Sequence, residues 1–444
     1  MKIESRRFMD LWSIIYTIMV LVVSLFIAEF NIVLFALYFV MALPFLNSIE
    51  HFTVISLMLS TISYYFTGAY EEIYSIYTIL MILIITREVF ICKGRLHLNV
   101  NNLFLIILLG VLACFSYVES PFHYLNGLFR LIYLLLLSLI VGNFTRLRIS
   151  VICETLPAIA RIMVIGYLLS VFFKGSLIDG RLTIANSVNT NTFGMSCAQL
   201  SCILLIASFL NKNQSRKNLA LCAMVVLLAV LSGSRGALLA FAIASLIVIT
   251  VYAKKSGRLT NTMFRLAILG TVTLSGVYLV LLLTGLDTSR FSIREVIESG
   301  GSRRSLIYKS LIPYIIEEGY WKIGYGPGHE CSRQVIMSLI GWDYAHSHNT
   351  FLEAFAELGS IGLILLIWSV KNSLKNIYGV CQAYKNAYLI MAILICLLIN
   401  GLAESYFFDA VLWILLAISR NNYVDRMEIM QTKTQGRKGG NGFV

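Results

Sequence analysis

Leu131-Ile-Tyr-Leu-Leu-Leu-Leu-Ser-Leu-Ile-Val141 is an apolar run without a charge and without alternation. A transmembrane barrel strand needs apolar and polar residues in turn, whereas a membrane-spanning helix needs about 20 mostly apolar residues. The same character fills the whole chain of 444 residues, of which 58% are hydrophobic and 13% charged, with a mean hydropathy of +0.80. A soluble domain is roughly half apolar and a quarter charged, so composition excludes one. Five prolines and nine cysteines exclude collagen-like and disulfide-framework chains. The chain therefore reads as an all-α polytopic membrane protein.

At about 20 residues per crossing, the apolar runs give about 12 to 14 transmembrane helices. They fall at 11–28, 32–46, 52–66, 73–85, 103–117, 128–141, 151–173, 192–210, 219–231, 237–252, 264–283, 351–370, 387–402 and 406–418. No A-x-A-type site follows the first run, so it reads as a retained span. The organisation that follows is N-terminal transmembrane helices at 1–173, helices with motif-bearing loops at 174–285 and one long extracytoplasmic loop at 286–347. C-terminal transmembrane helices occupy 348–420, and a Gly- and charge-rich tail at 421–444 is expected to be disordered and cytoplasmic.

Cytoplasmic loops carry an excess of Lys and Arg. With Lys2, Arg6 and Arg7 placed inside, 23 of the 35 basic residues are cytoplasmic, ten are outside, and Arg130 and Arg161 lie within spans. Both termini are therefore expected in the cytoplasm. Outer turns near Glu29, Tyr70, Glu119 and Glu404 hold no basic residue. All ten outer ones fall in 174–191, in the Ser234-Arg235 turn, or in the long loop. Basic residues on that side oppose the usual bias, which marks these three segments as functional.

The long loop holds seven basic and seven acidic residues, so individually placed arginines, not a bulk field, would have to act there. Two stretches, 302–318 and 332–340, read as short helices. The first has Leu306, Ile307, Leu311, Ile312, Ile315 and Ile316 apolar, as a helix lying on the outer membrane surface would, with Pro313 bending it. Gly324-Tyr325-Gly326-Pro327-Gly328 forces turns. Thr350 and Glu353 have capping-box spacing, so the next span is predicted to begin at Thr350, placing His348 at the positive end of a helix.

Three blocks in the second half resemble the O-antigen ligase and O-antigen polymerase superfamily of bacterial surface-polysaccharide assembly. Gly180-Arg181-Leu182-Thr183 followed by Asn189-Thr190-Asn191 resembles an Arg-containing outer loop before an Asn-Pro-Asn turn, with Thr190 where Pro often stands. Ser232-Gly233-Ser234-Arg235-Gly236-Ala237 is similar to the family's Ser-Arg-Gly turn. The third block joins Arg303/Arg304, the Gly324–Gly328 run, His348-Asn349-Thr350-Phe351-Leu352-Glu353 and Glu357-Leu358-Gly359. The resemblance spans 180–367.

It implies transfer of a glycan from undecaprenyl pyrophosphate to an acceptor sugar hydroxyl on the outer face of the cytoplasmic membrane. Polymerases use the next lipid-linked repeat unit as acceptor, ligases use lipid A core. No cofactor, no metal and no nucleic acid are implied; a membrane-lipid environment, a flippase and a chain-length regulator are. Such a reaction must meet the negative charge of a departing pyrophosphate and take a proton from a hydroxyl. Guanidinium groups suit the departing charge, and the candidates are Arg235 and one of Arg303 and Arg304, with Arg181 assisting. The bland reading of Arg235 is a snorkelling interfacial arginine, that of Arg303/Arg304 the polar face of an amphipathic helix.

His348 is the expected general base, kept neutral by adjacent guanidinium charge, and Glu353 is expected either to orient it or merely to cap the helix. Asn191, His346 and Arg161 complete the substrate-binding set; Arg161 is included as an intramembrane charge, Asn191 as a turn residue able to touch sugar. An alternative reading makes His346 and His348 a metal pair, with His329 or Asp343 completing it. Rival functions are a transporter, which should line several mid-membrane positions with charge where only Arg130 and Arg161 stand, and a membrane scaffold, which needs no outer arginines.

Overall fold

The computed structural model describes residues 2–26, 32–59, 79–87 except 81 and 85, 100–143, 147–178, 181–184, 189–257, 304–343 and 346–420. The predicted span at 264–283, most of that at 73–85, Gly180, Arg303 and the tail lie outside these residues. The elements, in chain order, are α1 (Lys2–Phe26), α2 (Ile32–Ala42), α3 (Ile49–Leu59), α4 (Val100–Val118), α5 (Leu125–Asn143) and α6 (Ile149–Lys174). A short hairpin of β1 (Ser176–Ile178) and β2 (Arg181–Thr183) follows, then α7 (Thr190–Leu210), α8 (Ser215–Leu231) and α9 (Arg235–Lys255). The remainder is α10 (Arg304–Glu317), α11 (His329–Ile340), α12 (Thr350–Ala383), α13 (Tyr388–Asn400) and α14 (Ala410–Arg420).

Among the described residues, α4, α5, α6, α7, α9 and α12 are long and apolar enough to cross a membrane, and α2, α3, α13 and α14 are shorter apolar helices. This is an all-α polytopic membrane protein, as composition dictates. Helix α7 is its centre: 89% of its apolar window is buried, so it has no lipid-facing stripe. Gly194, Ser196, Cys197, Ala198, Ser201 and Cys202 keep its surface slim, which lets α8, α9 and α13 approach closely. The loop between the apolar runs 151–173 and 192–210 carries a short hairpin, in which Ser176 pairs with Thr183 and Ile178 with Arg181 across an antiparallel ladder.

Polar clusters pin the end of the bundle that carries the starts of α1, α3 and α6. His51 Nε2 lies 2.8 Å from Asp10 Oδ1 and its Nδ1 2.7 Å from Ser48 Oγ, while Arg148 Nε donates to Glu50 Oε1 at 2.8 Å. Buried Arg420 donates to Ser138 Oγ at 2.6 Å and Ser369 Oγ at 3.0 Å, tying α14 to α5 and α12.

The opposite end carries a second, smaller core. Ile307, Leu311 and Ile315 of α10 pack with Val335 and Ile336 of α11, Tyr325, and Ala356 of α12. The predicted helices 302–318 and 332–340 thus exist at 304–317 and 329–340, but the inner apolar face of α10 is covered by protein. Helix α12 breaks at Gly359 (φ 69°, ψ −169°), a conformation essentially open only to glycine. The break admits the turn after α10: Ser360 N and Oγ both donate to Trp321 O at 2.7 Å, and a Cβ at 359 would lie 2.5 Å from Lys322 O. Gly359→Ala is expected to destabilise the protein by about 1–3 kcal/mol, read as a lowered Tm in detergent.

Candidate active site

The hairpin turns Arg181 back over the α8–α9 turn, where its Nε donates to Ser232 O at 2.8 Å. Gly233 in that turn has φ 65°, and a Cβ there would meet Arg181 Nε at 3.1 Å. Arg181 Nη2 also donates to Asn191 Oδ1 at 2.6 Å. Asn189 caps α7 through Asn191 N at 2.8 Å, and this fixes Asn191 on the first turn. Arg235 opens α9 and Arg304 opens α10. All four residues, with Asn400 and Glu404, line one cavity of about 120 Å³.

Glu404, in the turn between α13 and α14, is the hub. Its Oε1 accepts from Asn191 Nδ2 at 3.0 Å and from Arg304 Nη2 at 2.5 Å, and its Oε2 lies 2.9 Å from His348 Nδ1. Its turn is stitched to the start of α12, since Thr350 Oγ1 donates to Glu404 O at 3.1 Å and Thr350 N to Gly401 O at 2.7 Å. Burial pushes the Glu404 carboxyl up, but the hydrogen bond from His348 and the charges of His348 and Arg304 outweigh it and leave the pKa below the ordinary carboxylate value. An anion at that place accepts, so the proton of neutral His348 resides on Nδ1 and the basic lone pair on Nε2.

His348 precedes α12 by two residues with φ 55°. Asn349, not Thr350, caps the helix, accepting from Phe351 N at 2.9 Å and Leu352 N at 3.0 Å. The helix begins at Thr350 as predicted, which moves the cap one residue back. Glu353 is neither the cap nor a partner of the imidazole: fully buried, it accepts from Ser347 N at 2.7 Å and Ser332 Oγ at 3.2 Å. It holds the backbone before His348, while Glu404 holds the ring. Tyr308 of α10 donates to His348 O at 3.1 Å.

His346 packs edge-on against His348, ring centroids 4.3 Å apart, and its Nδ1 accepts from His348 N at 3.3 Å. Burial, followed by the neighbouring His348, pulls its pKa down to about 4. It is therefore a neutral wall of the site at pH 7. His346, His348 and Glu404 bring one ligand atom each within 4.8 Å of one another. A cation there would stand against the Arg304 guanidinium, which already shares the carboxylate. Of the expected third ligands, Asp343 pairs with Arg333, while His329 lies beside His346, ring centroids 5.6 Å apart, with its Nδ1 3.7 Å from Glu353 Oε1.

Arg161 does not join the site. It donates to Gln214 and Asn218, at the start of α8, about 20–25 Å along that helix from Ser232 at about 1.5 Å per residue. Arg303 lies outside the described residues. Arg181, Asn191, Arg235, Arg304 and His348 are brought together on Glu404 and the cavity it lines, three arginines against one carboxylate. That excess suits an anion with two or more charges, such as a diphosphate.

Residues 219–367, from α8 into α12, match the family model described as O-Antigen ligase. Over that stretch, about a third of the chain, the protein is similar to the O-antigen ligase family. Among curated proteins no relative matches the chain. Members of that family are membrane enzymes that transfer glycans. The matched stretch includes Arg235, Arg304, His348 and Glu353; Arg181 and Asn191 precede it and Glu404 follows it. Glu404 is the site residue that sequence reading misses. It stands in an ordinary-looking turn, and the sole signal is a carboxylate between two apolar helices where no basic residue accompanies it.

Proposed function

We propose that the protein is a polymerase joining undecaprenyl-pyrophosphate-linked oligosaccharide repeat units on the outer face of the bacterial cytoplasmic membrane, without a metal. The observation that carries this reading is the convergence of Arg181, Arg235 and Arg304 on a cavity beside the His348–Glu404 pair. In the proposed step the acceptor hydroxyl oxygen attacks the anomeric carbon of the donor glycan. The bond from that carbon to the phosphate oxygen breaks, and the hydroxyl proton passes to His348 Nε2. Glu404 holds Nδ1–H and stabilises the imidazolium, as the carboxylate of a catalytic triad does. The pyrophosphate departs with its electron pair and its charge is met by the guanidiniums.

Arg235→Ala and Arg304→Ala are each expected to lower polymer formation by about 10²–10³-fold, and Arg304→Lys to restore little of it, because Lys lacks the planar fork. Both are read on gels of product formed from lipid-linked repeat units in proteoliposomes. Chelating divalent metal in the same assay is expected to leave the rate unchanged; strict metal dependence would overturn the metal-free step.

The family description favours a second reading, a ligase that moves the glycan to lipid A core. Deleting the gene and running the surface polysaccharide on a gel separates the two. Single-repeat product supports the polymerase; long chains retained on the carrier lipid support the ligase; an unchanged profile refutes both.

A further inference from the structure

Helix α10 has two apolar faces, and protein covers one of them. Ile307, Leu311 and Ile315 are buried, while Leu306, Ile312 and Ile316 are 42%, 40% and 55% exposed. The turn behind the helix continues the uncovered face with Trp321 at 44%. A helix in water would bear charge there; of the exposed stripe from Leu306 to Ile316, Lys309 alone is charged, and a lysine reaches outward on its own stem, while exposed Glu317, Glu318 and Lys322 gather at the turn beside Trp321.

Depth is set by where the turn docks. Ser116 Oγ, in the last turn of α4, donates to Ile323 O, and Ser360 of α12 holds Trp321 O. Ser360 opens the second segment of α12, just past the break at Gly359. At this level the exposed apolar surfaces of both neighbours begin: Phe115 and Val118 on α4, Ile361 and Ile364 on α12. Helix α10 thus extends about 20 Å from Arg304 at the cavity to a turn seated between α4 and α12.

We propose that the uncovered face of α10 lies in the leaflet on the cavity side of the membrane, with Leu306, Ile312 and Ile316 among lipid acyl chains and Trp321 at their boundary with the headgroups. The continuity of this stripe with the exposed surfaces of α4 and α12 argues for lipid as its occupant, and a terminal Trp suits the interface. Arg304 is then held at headgroup height, where a membrane-anchored diphosphate meets it without leaving the bilayer. The immersion itself stands whether or not the protein transfers sugars.

The test uses the full chain in nanodiscs, comparing wild type with Trp321→Phe so that the difference isolates Trp321 fluorescence. Lipids brominated on the acyl chain are expected to quench that component at least twofold more than aqueous iodide does. Iodide quenching equal to or greater than that by bromolipid overturns the proposal and leaves the face to water or a protein partner. Should Trp321→Phe fail to assemble, a nitroxide on Ile316→Cys, with the other accessible cysteines replaced, gives the same decision. Greater access to oxygen than to an aqueous nickel chelate supports immersion, and the reverse overturns it.

Discussion

His348→Ala is expected to abolish polymer formation, a loss on the order of 10²–10⁴-fold, while the protein still inserts and purifies as the wild type does. The imidazole hangs on a backbone fixed by Ser347 N to Glu353 and Tyr308 to His348 O, and its ring is held by Glu404. Removing the ring should therefore leave the frame standing. The measurement is single-turnover transfer from a lipid-linked donor, with product separated by size. A variant retaining normal rate and chain length would remove His348 from the chemistry. His346→Ala is the control, since a neutral ring that walls the site should cost far less than the base itself.

Glu404→Gln has the second large effect, expected to be on the order of 10²-fold or more. An amide offers His348 Nδ1 a donor as readily as an acceptor, so the tautomer with its lone pair on Nε2 is no longer enforced. The same change leaves Arg304 without its anionic partner and loosens Asn191. Donor binding and turnover should part company: a more cationic cavity retains the diphosphate at least as well, while transfer slows. The carboxyl also predicts a pH dependence of stability. Its folded pKa is depressed, so its contribution is present above the ordinary carboxylate value of about 4.3 and is lost as pH falls through the lower folded value. The wild type should therefore lose Tm on acidification below about pH 4, and Glu404→Gln should lose less. Equal pH profiles for the two proteins would refute the charged role of Glu404.

Hydropathy made the bundle legible because the bilayer imposes a length and a composition that single residues cannot disguise. The motif loops were legible for the opposite reason, since the expected orientation puts Arg181, Arg235 and Arg304 where the charge bias disfavours them. Features that depend on contact between distant segments were not. The hairpin has three-residue strands, too short for any alternation to register. Asn349 takes the cap because its side chain reaches two N–H groups at once, a choice the capping-box spacing of Thr350 and Glu353 obscures. Arg161 looked like a site charge because a span is one-dimensional on paper; in three dimensions it faces the far end of α8. Helix α12 continues through Lys371 to Ala383, well past the apolar run ending at 370, because its later turns pack on Lys385–Ala387 and α14.

The distribution of the carboxylate hub along the chain limits what can be transplanted. A chimaera that grafts 219–367 into a distant relative would carry over the two helix-opening arginines and the imidazole, yet leave behind the acid that clamps Arg304 and His348. Such a hybrid works only if the recipient's own final turn supplies a side chain of the right reach.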